Sequence, residues 1–161
     1  MKIFLETTIP SYIAARPSRD LLQASHQQLT REWWETRRQH HELFTSQLVL
    51  DEAAIGDPGQ AAKRLALLSE ASLLELSNPA LSFTRDIVHA RILPVGAEVD
   101  AAHIALATTH EMDILLTWNC RHIANAANQH PLQRLAASHG LRLPVICTPD
   151  QLMENNNENS R

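Results

Sequence analysis

Ile114-Leu115-Leu116-Thr117 is the strongest strand candidate in the chain. It is apolar on both faces, as a strand in the middle of a parallel sheet must be. On its N-terminal side, Glu98 to His110 is alanine-rich and predicts a helix. On its C-terminal side, Ala124–Ala127 and then Pro131–Ser138 predict helix, with Gly140 at the C-cap. Val145-Ile146-Cys147 follows as a further strand, and Pro149-Asp150 begins a terminal helical turn.

The same alternation runs back to the start. Lys2 to Leu5 is a short apolar run ended by Glu6-Thr7-Thr8, which predicts a buried strand. Thr8 can cap a helix with Pro10 in its first turn. Ser18 can cap a longer helix running to about Gln39, with Leu22, Leu29 and Trp33 along one face. Leu43-Phe44-Thr45 is a second strand, and Ser46 caps a helix through about Ile55 that Gly56-Asp57-Pro58-Gly59 ends. A helix from Gln60 to about Glu70, a strand at Leu73–Leu76 and a helix from Asn78 to about Ile92 complete the series. Strands alternating with helices predict an α/β fold, a parallel sheet covered by helices on both faces.

Composition bounds the function. The chain has 161 residues, 44% of them apolar, which suits one domain with a real core. Its net charge of -4 argues against a strongly basic nucleic-acid coat, but leaves room for a few local phosphate contacts. Cys120 and Cys147 stand alone, so a thiolate zinc site is not expected. MKIFLETTIP lacks a long apolar segment, and no stretch reaches the ~18 apolar residues of a membrane span. The expectation is a cytoplasmic protein in a reducing setting.

Ligands of open α/β sheets bind outside the carboxyl ends of the strands. Glu6 follows the first strand, and Asn119 lies two residues after Thr117. Glu52 shares a helical face with Leu48 and Ile55, where an acid is costly unless paired or metal-bound. Asp100 lies in the first turn of the Glu98 helix. Carboxylates converging in one crevice repel each other, and a divalent cation resolves that repulsion. Oxygen donors without a cysteine or paired-histidine motif favour Mg²⁺ or Mn²⁺ over zinc.

Each residue also has a plainer reading. Glu6 could cap the following helix. Asp51 could hold the place given to Glu52. Asp100 could serve its own helix dipole, worth ~0.3–1 kcal/mol. Asn119 could be a turn residue. His103 and His110 lie seven apart with no third ligand in view, which favours structural or surface roles. Arg121 and His122 could contact phosphate or simply open a solvated helix. Trp33 and Trp34 suit a core or a dimer surface better than base stacking. Ser11 lacks the elbow of a nucleophilic serine.

At this point the motifs resemble a known family. "IFLETTIPSYI", "SQLVLDEAAIGD" and "DAAHIALATTHEMDILLTWNCRHIANA" resemble, in order, the segments of PIN-domain proteins that carry the family's acidic positions. The resemblance covers most of residues 1 to 150. It implies a three-layer α/β/α PIN-like domain over residues 1–153, ahead of a polar, disordered tail at 154–161. It implies metal-dependent ribonuclease activity with Mg²⁺ or Mn²⁺ held by Glu6, Glu52 and Asp100, and Asn119 at the fourth catalytic place. Thr8 and Thr117 match hydroxyl positions that bind water or orient an acid, and Arg121 is placed for a phosphate contact. Many small prokaryotic members are VapC-type toxins, so an RNA substrate, an antitoxin partner and a homodimer are further expectations. Two positions depart from the pattern: Glu6 stands where Asp is usual, and Asn119 where Asp is frequent. Both changes are expected to weaken metal affinity. The alternative is a catalytically weakened PIN module that binds a protein or RNA without cleaving. A haloacid-type phosphatase would need two aspartates flanking one residue after the first strand, which Glu6-Thr7-Thr8 lacks.

Overall fold

The computed structural model describes residues 1–154, so all but the first residue of the polar tail lies outside the described residues. Five strands form one sheet: β1 (Lys2–Leu5), β2 (Glu42–Ser46), β3 (Ser72–Leu74), β4 (Ile114–Leu116) and β5 (Val145–Cys147). Their order is β3-β2-β1-β4-β5, and every pair is parallel. Phe4 stands level with Phe44 on one side and Leu115 on the other. Ile3, Phe4, Leu5, Leu115 and Leu116 are fully buried, as strands covered on both faces require. Chain order reverses direction across the sheet at β1, so the crevice beyond the ends of β1, β2 and β4 is where an open α/β sheet forms its site.

The helices are α1 (Thr8–Ala14), α2 (Leu21–Thr36), α3 (Gln47–Ala53), α4 (Pro58–Leu68), α5 (Asn78–His89), α6 (Glu98–Thr109), α7 (Ala126–Ser138) and α8 (Pro149–Glu154). A 3₁₀ turn at Arg38–His40 follows α2. One group packs through α1 against α2 and α4, with α3 on α4 and α8 on α2. The other packs through α5 against α6 and α7. The result is the three-layer α/β/α arrangement expected of a PIN-like domain. Among the described residues no helix is long and apolar enough to cross a membrane.

Several local expectations change. Asp20, not Ser18, caps α2, because its carboxylate accepts the amide of Gln23 at 2.8 Å. The buried face of α2 is Gln27, Thr30, Trp33 and Trp34, while Leu22 is 67% exposed. Gln27 tolerates burial because its amide bridges the Arg16 carbonyl (3.1 Å) and the Ser18 N–H (2.9 Å) across the turn before the helix. Thr8 does not cap α1; Thr7 holds the cap position without a side-chain bond. Pro131 lies inside α7 rather than between two helices. At its end, Leu141 N–H reaches Ala136 C=O (2.9 Å) and Gly140 N–H reaches Ala137 C=O (3.0 Å). This doubly bonded C-cap needs Gly140 at φ +71°, a conformation that disfavours side chains.

α6 is buried on every side from Ala101 through Thr108. Its alanines explain how: small side chains let the helix lie close to both the sheet and α5.

Candidate metal centre

Glu6 is the first residue past β1, and its N–H still donates to Leu116 C=O at 3.2 Å. This locks it beside the end of β4, and its side chain is only 4% exposed. Oε2 accepts three hydrogen bonds: from Thr8 N–H (3.0 Å), from the Thr8 hydroxyl, and from the Thr117 hydroxyl (2.8 Å). Each hydroxyl is itself aimed by a backbone amide. Trp118 N–H donates to Thr8 Oγ1 (2.8 Å) and Asn119 N–H to Thr117 Oγ1 (2.9 Å). Such chains polarise one another and strengthen each bond. Burial raises the Glu6 carboxyl above the ordinary carboxylate range, and the bonds from Thr8 and Thr117 with the nearby His103 only partly offset it.

Glu52 arrives from α3, whose start is fixed by the Ser46 hydroxyl accepting Val49 N–H at 3.3 Å. Its Oε1 accepts from Thr7 Oγ1 at 2.6 Å and meets Nε2 of His103 at 2.7 Å. Half-burial alone would raise the Glu52 carboxyl, but the bonds from His103 and Thr7 prevail and hold it below the ordinary range. Asp51 is exposed and bonded to Gln47 (2.9 Å), so Glu52 is the acid turned inward. Ile55 lies beyond the end of α3 and is exposed, so it does not extend the face that carries Glu52.

Glu6, Glu52 and His103 each bring one ligand-type atom within 4.8 Å of the others. Both carboxylates share a pattern. One oxygen is taken by two or three donors, and the other has no hydrogen-bond partner among the described residues. A hard divalent cation fits that donor set, since it takes carboxylate oxygen and would favour the ionised form that burial disfavours at Glu6.

Asp100 is not in this group. It sits in the first turn of α6, and its Oδ2 pairs with Nδ1 of His122 at 2.8 Å. Asn119 Oδ1 accepts the amide of that same His122 at 3.0 Å, which is the turn role open to it from the sequence. Asp100 and Asn119 therefore meet at His122, and Asn119 N–H in turn reaches Glu6 through the Thr117 hydroxyl. Thr8 and Thr117 are the residues that orient Glu6. Arg121 is exposed and makes no ion pair among the described residues.

His103, for which the sequence favours a structural or surface role, is the third member of the cluster. It is fully buried, whereas His110 lies apart from it and meets Glu75 C=O at 2.7 Å. A signal was present: AAHIALA has no polar face, so a histidine within it had to be buried and had to find a partner. Trp33 and Trp34 are core residues.

No family model matches the chain, and no curated protein matches it. Among solved structures it is similar to a chain of VapBC2 from Rickettsia felis, seen bound to a DNA fragment from its promoter. The two are 15% identical, with a TM-score of 0.54 over 92% of this chain and 98% of that one. At that identity the likeness shows a shared three-layer α/β fold and nothing of the site.

Proposed function

We propose that this chain is a metal-dependent ribonuclease of PIN type that hydrolyses RNA phosphodiesters, acting as the toxin of a toxin–antitoxin pair. The observation that carries the reading is the pair Glu6 and Glu52, each with one oxygen clamped and one open, at the strand-end crevice. The VapBC2 neighbour supports the toxin assignment and an antitoxin partner by likeness of fold.

In this reading Glu6 and Glu52 hold Mg²⁺ or Mn²⁺, with Asp100 joining them. Held by these carboxylates, a divalent ion would supply Lewis acidity for a water nucleophile and for the phosphodiester charge. Thr8 and Thr117 keep Glu6 in one orientation, so no reorganisation is needed when the ion binds. Asn119 accepts the His122 amide in the turn after β4, and the His122 ring pairs with Asp100. Arg121, exposed on the same turn, contacts a phosphate of the substrate.

The test is incubation of single-stranded and structured RNA with the protein, with and without Mn²⁺. Cleavage that needs the ion and is lost in Asp100→Ala is expected. Equal RNA survival with wild type and variant in every condition refutes the proposal.

A second reading is a non-cleaving module that binds a protein or RNA. The engagement of Asp100 and Asn119 with His122 favours it, because among the described residues two carboxylates remain at the centre. Calorimetry separates the two: no heat of binding at millimolar Mn²⁺ or Mg²⁺ selects the second.

A further inference from the structure

His103 stands 2.7 Å from Glu52 and within the metal-ligand cluster, so it could bind an ion or serve the residue that does. We propose that His103 is a positioning residue: it donates from Nε2 to Glu52 Oε1, and so presents Oε2 of that carboxylate as the ligating oxygen. The inference rests on the metal-centre reading above and goes beyond it.

Three observations carry it. First, a carboxylate only accepts hydrogen bonds, so an imidazole nitrogen at 2.7 Å from its oxygen must bear the hydrogen. A nitrogen bearing hydrogen has no lone pair for a metal. Second, Nδ1 of His103 is buried and has no partner among the described residues. Metal-binding histidines almost always donate from the other ring nitrogen to a carboxylate, carbonyl or water. Were Nε2 to ligate, the proton would move to Nδ1, and a buried N–H would be left without an acceptor. With hydrogen on Nε2, the buried atom is a bare lone pair, and no donor is orphaned.

Third, the ring cannot move to suit an ion. It is fully buried, it rides on the part of α6 that is covered on all sides, and it packs against Phe4 with ring centroids 6.1 Å apart. Thr7 Oγ1 supplies the second bond to the same oxygen at 2.6 Å. Oε1 is therefore held from two sides, by a helix of the α5–α6–α7 layer and by the start of α1. The same logic operates at Glu6, where hydroxyls do the work.

The test is calorimetric titration of Mn²⁺ and Zn²⁺ into the full chain and into His103→Leu, His103→Gln and His103→Asn, with melting in EDTA to confirm folding. Gln can bring an amide N–H to about the reach of Nε2; Asn is too short. Loss of a group that orients a ligand typically lowers metal affinity about 10–100-fold. We expect that loss in His103→Leu and His103→Asn, recovery to within a few-fold in His103→Gln, and an unchanged preference between the two ions. If His103→Leu does not fold, the Gln and Asn variants carry the comparison alone. Wild-type affinity in His103→Asn overturns the inference and leaves the metal centre standing. A His103→Gln as weak as Asn, with Zn²⁺ affinity falling further than Mn²⁺, overturns it in favour of direct ligation. Absence of Mn²⁺ binding by wild type overturns the metal-centre reading itself, and this inference with it.

Discussion

Replacing Glu6 by Gln should make the metal-free protein more stable and the metal-loaded protein relatively less so. A Gln side chain can keep its carbonyl oxygen where Oε2 sits and accept all three bonds from Thr8 and Thr117. Its amide then takes the place of the open oxygen. What disappears is a carboxylate whose burial raises it above its ordinary range. Relieving strain stored at a functional site commonly gains about 0.5–2 kcal/mol. In a chain of this size each kcal/mol moves the melting temperature by roughly 2–4 °C, so Glu6→Gln should melt about 1–8 °C higher in EDTA. Mn²⁺ reverses the order. At a hundredfold excess over Kd a bound ligand adds about 2.7 kcal/mol to the form that holds it. Wild type should then rise by about 5–11 °C, while the variant barely moves. Melting followed by circular dichroism with EDTA and with Mn²⁺ reads both arms. A variant less stable than wild type in EDTA, or one shifted equally by Mn²⁺, refutes the reasoning.

Other expectations use the same framework. Thr117→Val keeps shape but removes one of the three donors to Glu6, a buried bond, and the acceptor for the half-buried Asn119 N–H. It should cost roughly 1–3 kcal/mol in denaturant melts, the range for leaving one shielded donor unpaired, since Glu6 keeps its two bonds from Thr8. Ser46→Ala removes the cap of α3 and should cost about 1 kcal/mol by chemical denaturation, while weakening Mn²⁺ binding through Glu52. Acidification separates the two glutamates. Glu6, raised by burial, gives stability that is full below the ordinary value of 4.5 and fades as pH climbs through its higher folded value. Glu52, held low against its burial by His103 and Thr7, gives stability present above 4.5 and lost as pH falls through its lower folded value. Urea melts from pH 7 down to 4.5 should therefore show the advantage of Glu6→Gln shrinking; an advantage that grows on acidification contradicts the assignment.

What the sequence made legible was governed by local rules. The strand ending at Glu6, the Ser46 cap and Gly140 at the end of α7 follow from short-range chemistry, and the structure has them. The alternation of strands and helices was enough for the three-layer α/β fold. Misreadings came where tertiary context prevailed. Leu22 suggested the buried face of α2, but the chain preceding that helix gave Gln27 two backbone partners and made a polar residue the better occupant. Pro131 looked like a break, yet α7 continues through it. Asp100 lies where the motif order places the third acid, but its pairing with His122 is a side-chain contact that no periodicity encodes. His103 has no third ligand in view along its own helix, because its partner Glu52 lies 51 residues away.

The burial of α6 on all sides bears on how the crevice comes apart. Amide hydrogens from Ala101 to Thr108 have no solvent-facing side, so they should exchange with deuterium only on global unfolding. α3 is seven residues long with exposed positions, and should exchange by local fraying well before that. The centre is thus hinged unevenly: His103 belongs to the last part of the molecule to open, and Glu52 to one of the first. Transient loss of the site should begin with the departure of Glu52 from a histidine that stays where it is.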